Sequence, residues 1–102
     1  MTIGNTPLLE TMVLVPGQDF VHEIRMPIGE SVPMGTTCEL TIYDIHDEVL
    51  ENWNADVTSN AVSWNVASEW SDTINLPAKF RIYVHYSDGK DFCWYAGYVT
   101  RA

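Results

Sequence analysis

The chain has 102 residues and a mass of 11.6 kDa, which suits one domain and is too small for two with cores of their own. Hydrophobic residues make up 46% of it and aromatics 12%, enough to fill a single core without metals or disulfide staples. Five Lys and Arg against fourteen Asp and Glu give a formal net charge of -9 and a pI near 4.4, a balance that repels phosphate backbones and anionic lipid, so nucleic-acid and membrane-surface roles are set aside.

The first ten residues carry no Lys or Arg, and the apolar stretch Leu8 to Val15 is interrupted by Glu10 and Thr11 and closed by Pro16 and Gly17. Neither a signal peptide nor a membrane span is expected there, and the chain is expected in the cytoplasm at synthesis. Residues 1–7 are expected to form a flexible arm and residues 8–102 the folded domain. The first strand is predicted over Leu8 to Val15, ending at the Pro16-Gly17 turn. The second, Asp19 to Arg25, sets Phe20, His22 and Ile24 on one face and Val21, Glu23 and Arg25 on the other. A loop with two prolines and two glycines follows from Pro27 to Gly35. Thr37 to Tyr43 alternates most cleanly: Cys38, Leu40 and Ile42 point inward, and Thr37, Glu39, Thr41 and Tyr43 outward.

After the acidic turn Asp44 to Glu48, a fourth strand is predicted from Val49 to Trp53 and a fifth from Ala61 to Val66, with Val62, Trp64 and Val66 on one face. Thr58-Ser59-Asn60 between them reads as a hairpin loop. Ser68 is placed to cap one helical turn over Glu69 to Asp72. Lys79 to Tyr86 turns Phe80, Ile82, Val84 and Tyr86 to the core and Arg81, Tyr83 and His85 away from it. Ser87-Asp88-Gly89-Lys90 is a hairpin turn in which Gly89 takes a positive φ without steric cost. The last strand spans Phe92 to Thr100, and Gly97 within it marks a bulge or a close backbone approach. About seven antiparallel strands with one short helical turn predict an all-β, immunoglobulin-like β-sandwich, with a closed barrel as the alternative.

Little in this pattern carries chemistry. His22, His46 and His85 lie apart, and the cluster Asp44, His46, Asp47 and Glu48 has neither calcium-loop nor zinc-pair spacing, so no metal or other cofactor is expected. His22 reads as a half-buried, hydrogen-bonded residue and His85 as solvent-facing. No nucleophile elbow or phosphate-binding glycine loop occurs, so no enzymatic activity is expected. Cys38 and Cys93 are too few for a disulfide framework and read as reduced, packed thiols. The aromatic residues are more informative. Trp64 and Trp94 read as core, while Trp70 sits on the helical connection, where it could plug one end of the sandwich. Trp53, between Asn52 and Asn54, and Tyr43 and Tyr83, on polar strand faces, are candidates for a binding surface, because aromatic side chains dominate interface hot spots. Tyr43, Trp53, Tyr83 and Trp70 are therefore the interface candidates.

The order of these elements resembles the LtfC-like β-sandwich family of tailed actinobacteriophages. The resemblance lies in Val15-Pro16-Gly17-Gln18-Asp19-Phe20 and Met26-Pro27-Ile28-Gly29-Glu30, then in Trp53-Asn54-Ala55-Asp56-Val57 leading to Ala61-Val62-Ser63-Trp64. It continues in Leu76-Pro77-Ala78-Lys79-Phe80-Arg81-Ile82, and in Asp88-Gly89 followed by Tyr95-Ala96-Gly97-Tyr98-Val99. It covers about Thr11 to Arg101. What it implies is a virion structural protein without catalytic residues, present in many symmetric copies: a capsid decoration or minor capsid protein docked on the major capsid protein, or a tail or baseplate component. A carbohydrate-binding module, with Trp53, Tyr43 and Tyr83 stacked on sugar rings, is the competing expectation from the residues themselves.

Overall fold

The computed structural model describes Gly4 and residues 6–102, so the flexible arm expected over residues 1–7 falls largely outside the described residues. The elements are β1 (Leu8–Leu9), β2 (Met12–Leu14), β3 (Phe20–Arg25), β4 (Thr37–Tyr43), β5 (Val49–Asn54), β6 (Asp56–Val57), β7 (Ala61–Val66), α1 (Ser68–Ser71), β8 (Ala78–His85) and β9 (Asp91–Arg101). They form a larger sheet in the order β1-β9-β8-β4-β5, with β2 also on β9, and a smaller sheet in the order β3-β7-β6. Two sheets, each with one apolar face, hide those faces by packing on each other.

The alternation that defines β4 and β8 also determines what they bury. Leu40 lies opposite Ile82, Ile42 opposite Phe80 and Cys38 opposite Val84, and all six are buried. The smaller sheet supplies Val62 and Trp64 from β7, with Phe20 and Ile24 of β3 packed alongside. Trp64 is large and carries one donor that needs a partner when buried. Its Nε1–H donates to the Trp53 carbonyl oxygen at 3.0 Å, tying β7 to β5 across the two layers. Trp94 is only partly buried and packs against this core at a bulge in β9 opposite Ile82 and Tyr83.

The predicted first strand differs in two ways. It is broken into β1 and β2 at Glu10 and Thr11, and both pieces pair with β9 in parallel, with Leu8 opposite Tyr95 and Leu14 opposite Arg101. The sandwich is therefore mixed at this edge rather than antiparallel throughout. The break falls where Glu10 passes over Gly97. A Cβ on Gly97 would stand 1.7 Å from the Glu10 carbonyl oxygen, so the glycine marks a close approach, while the bulge of β9 lies elsewhere.

The short helix is anchored from outside itself. Its N-cap is Ala67, which makes no side-chain cap, and the Ser68 amide donates instead to Asp19 Oδ1 at 2.9 Å. The cap expected from Ser68 is thus supplied from the chain entering β3. At the other end of α1, the Asp72 carboxylate accepts from the Gly17 amide at 3.1 and 3.2 Å. Arg101 donates through Nη2 to the Ile74 carbonyl at 2.6 Å. These bonds fasten the connection before β8 to both ends of the N-terminal turn and to β9.

Candidate interaction surface

The strand registers decide what the outer face of the larger sheet presents. Glu39 lies opposite Tyr83, Thr41 opposite Arg81, and Tyr43 opposite Lys79. On the far side Arg81 meets Ala96 and Lys79 meets Tyr98, and Asn52 and Asn54 flank Thr41 and Glu39 from β5. Five strands spaced by about 4.8 Å make this face about 20 Å wide, and the smaller sheet packs on the opposite side.

At its centre Arg81 joins the two tyrosines predicted for a binding surface. The guanidinium carbon lies 5.4 Å from the centroid of the Tyr43 ring, a cation–π arrangement, and Nη1 donates to the Tyr83 hydroxyl at 3.5 Å. Burial raises the Tyr43 pKa, with the neighbouring Tyr83 adding to the effect. The hydrogen bond to Tyr83 raises that of Arg81. The site is therefore one fixed cation beside the protonated Tyr43 phenol, with the Tyr83 hydroxyl as its hydrogen-bond partner. Asn52 Nδ2 donates to Thr41 Oγ1 at 2.8 Å, which holds an amide beside the cluster and leaves Thr41 only 4% exposed.

At one margin His85 stands between two carboxylates, with Nδ1 at 2.8 Å from Asp91 Oδ1 and Nε2 at 3.5 Å from Glu39 Oε1. The hydrogen bond to Asp91 raises the His85 pKa, burial opposes it, and Glu39 adds to the rise. At the other margin Lys79 pairs with Asp47. The acidic turn itself is held by Asp44, whose Oδ1 accepts from the His46 and Glu48 amides at 2.7 and 3.0 Å. The apolar part of the face lies towards β1 and β2, where Leu9, Val13 and Tyr98 are exposed. The sequence reading passed over these three. The phase of β9 was the available signal for Tyr98, since it alternates with the buried Val99.

The four interface candidates separate. Tyr43 and Tyr83 come together through Arg81. Trp53 does not join them: it faces inward opposite Leu40, is 8% exposed, and sits 5.7 Å from the Phe20 ring. Its placement on a surface is corrected by the same alternation that exposes Asn52 and Asn54, because neighbours on a strand point to opposite faces. Trp70 stands on α1, off the strands that build the face, and at 56% exposed it plugs nothing. His22 is likewise exposed rather than half-buried, with its ring stacked on Trp64 at a centroid distance of 6.5 Å. Both cysteines are free thiols; burial pushes Cys38 up to about 12.

Two packed sheets with a polar and aromatic outer face define a β-sandwich domain. The chain belongs to the LtfC-like, beta-sandwich domain family, whose family model matches residues 6–102. No curated protein matches it.

Proposed function

We propose that this chain is a non-enzymatic virion structural protein, a capsid decoration or minor capsid protein that docks in many copies on the major capsid protein through the outer face of its larger sheet. The observation that carries this reading is the Tyr43–Arg81–Tyr83 cluster on that face, in a member of the LtfC-like family. Tyrosine and arginine are the side chains most able to anchor a protein interface. Repetition across a symmetric lattice lets a modest contact hold by avidity. The net charge of -9 keeps such a protein away from packaged nucleic acid and directs it to protein.

The test is mass spectrometry of purified particles with copy number. A shell protein is expected at on the order of hundreds of copies, and a tail or baseplate component at about three, six or twelve. Absence from particles refutes both. A Tyr43→Ala/Tyr83→Ala double variant should fold in isolation and lose particle occupancy. Full occupancy would refute docking through this face, and retention on a glycan column that depends on the two tyrosines would favour a carbohydrate-binding module.

A further inference from the structure

A second surface lies between the two sheets, where the sandwich does not close. β2 and β3 are consecutive strands joined by the Pro16-Gly17 turn, yet they belong to different sheets, and a cleft of about 580 Å³ separates them. Residues 10–15 line one wall and residues 18–24 the other, with Leu40, Phe80, Ile82 and Tyr95 contributing to the apolar lining.

The hydrogen-bond phase of both walls follows from single bonds at their ends. The Met26 amide donates to the Asn60 carbonyl at 2.9 Å, in phase with the pairing of Arg25 and Ala61. Phe20, His22 and Ile24 therefore spend their peptide groups on β7, and those of Val21 and Glu23 point away from it. Across the cleft the Ala102 amide donates to the Leu14 carbonyl at 2.9 Å, so Met12 and Leu14 bond to β9 and the peptide groups of Val13 point away. No further strand pairs with β3 on that side among the described residues. An open edge beside an apolar cleft is the condition for strand addition.

The charge of the walls selects what could enter. Glu10, Asp19 and Glu23 line the cleft and no Lys or Arg does. Arg25 pairs with Glu23, whereas Glu10 and Asp19 have no ion-pair partner among the described residues. A second copy of the chain, itself at -9, would bring like charge to this rim. We propose that the cleft between β2 and β3 receives an extended segment of a partner protein, apolar at every second residue and basic between, which adds as a strand to the open edge of β3. Its apolar side chains enter the cleft, its basic ones lie beside Val21 and Glu23 on the outer face of the smaller sheet, and Glu10 and Asp19 add negative potential at the rim. The cleft includes none of Tyr43, Arg81 and Tyr83 and does not depend on them.

The test is titration of the protein at physiological salt with a peptide of about eight residues alternating valine and lysine, followed by amide shifts and amide exchange. Shifts should map to Val13, Val21 and Glu23, with new protection at the Val21 and Glu23 amides. A shuffled peptide with the lysines in one block should bind about tenfold more weakly, because it keeps the charge and loses the alternation. Val21→Pro removes an edge donor without touching the bonds to β7 and should weaken binding about tenfold. Glu10→Lys, at an exposed side chain, should weaken it independently. The Tyr43→Ala/Tyr83→Ala variant should bind the peptide unchanged, which separates this inference from the docking face. No binding, equal binding of the shuffled peptide, or shifts centred on Tyr43 and Tyr83 would overturn it. So would a peptide-free dimer abolished by Val21→Pro, which would make a second copy the occupant.

Discussion

Gly97→Ala adds one methyl group where two main-chain segments nearly touch. Its Cβ would stand 1.7 Å from the Glu10 carbonyl oxygen, 2.9 Å from the carbonyl carbon and 3.3 Å from Phe80 Cε1. The nearest two atoms are backbone, so no rotamer change relieves the overlap. The Glu10 carbonyl has to retreat by about 1.3 Å merely to reach 3.0 Å. The bond from the Glu10 amide to the Ala96 carbonyl, now 3.0 Å, would then stretch out of range. A lost backbone bond contributes about 1 kcal/mol and strain in a packed site about 1–3 kcal/mol, so the expected destabilisation is about 2–4 kcal/mol. For a domain of this size that lowers the Tm by about 10 °C or more. Urea and thermal unfolding measure the loss, and amide exchange locates it: protection should fall over residues 8–14 and persist in β4 and β8. A variant within about 0.5 kcal/mol of the parent, with residues 8–14 still protected, would refute the close approach and the parallel pairing built on it.

Trp53→Ala should cost about 3–5 kcal/mol in urea unfolding, whereas Trp70→Ala, at an exposed ring, should stay within about 0.5 kcal/mol; equal costs would refute the inward placement of Trp53. Because the His85 pKa is raised by Asp91 and Glu39, its contribution is fully present below the ordinary histidine value of about 6.5 and disappears as pH rises through the higher folded value. His85→Gln should therefore reduce stability at pH 5.5 more than at pH 8.5, a difference read from paired denaturation curves, and a pH-independent effect would contradict the carboxylate pairing. With its thiol pushed up to about 12, Cys38 should resist alkylation by iodoacetamide at pH 8 in the folded protein and react on unfolding, as followed by intact mass; modification at the folded-state rate of a free thiol would show that its burial is wrong.

The sequence by itself determined the fold class and most strand boundaries, because period-two alternation records burial directly. β4 spans the residues that alternation assigns to it, and β8 puts Phe80, Ile82 and Val84 inside as predicted. Tyr43 and Tyr83 were legible as outward residues for the same reason. Trp53 was misplaced by the polarity of Asn52 and Asn54, although their alternation with it is the pattern of an inward tryptophan.

What only the tertiary structure decided depends on pairing between distant segments. Pairing of β4 with β8 is what brings Tyr43 to Arg81, which already shares a strand face with Tyr83, and Glu39 to His85. The parallel pairing of β1 and β2 on β9 joins segments some ninety residues apart, and no local periodicity specifies the direction of such a pair. The same pairing carries β2 away from β3 and leaves the cleft between them, because a strand committed to one sheet cannot also close the edge of the other.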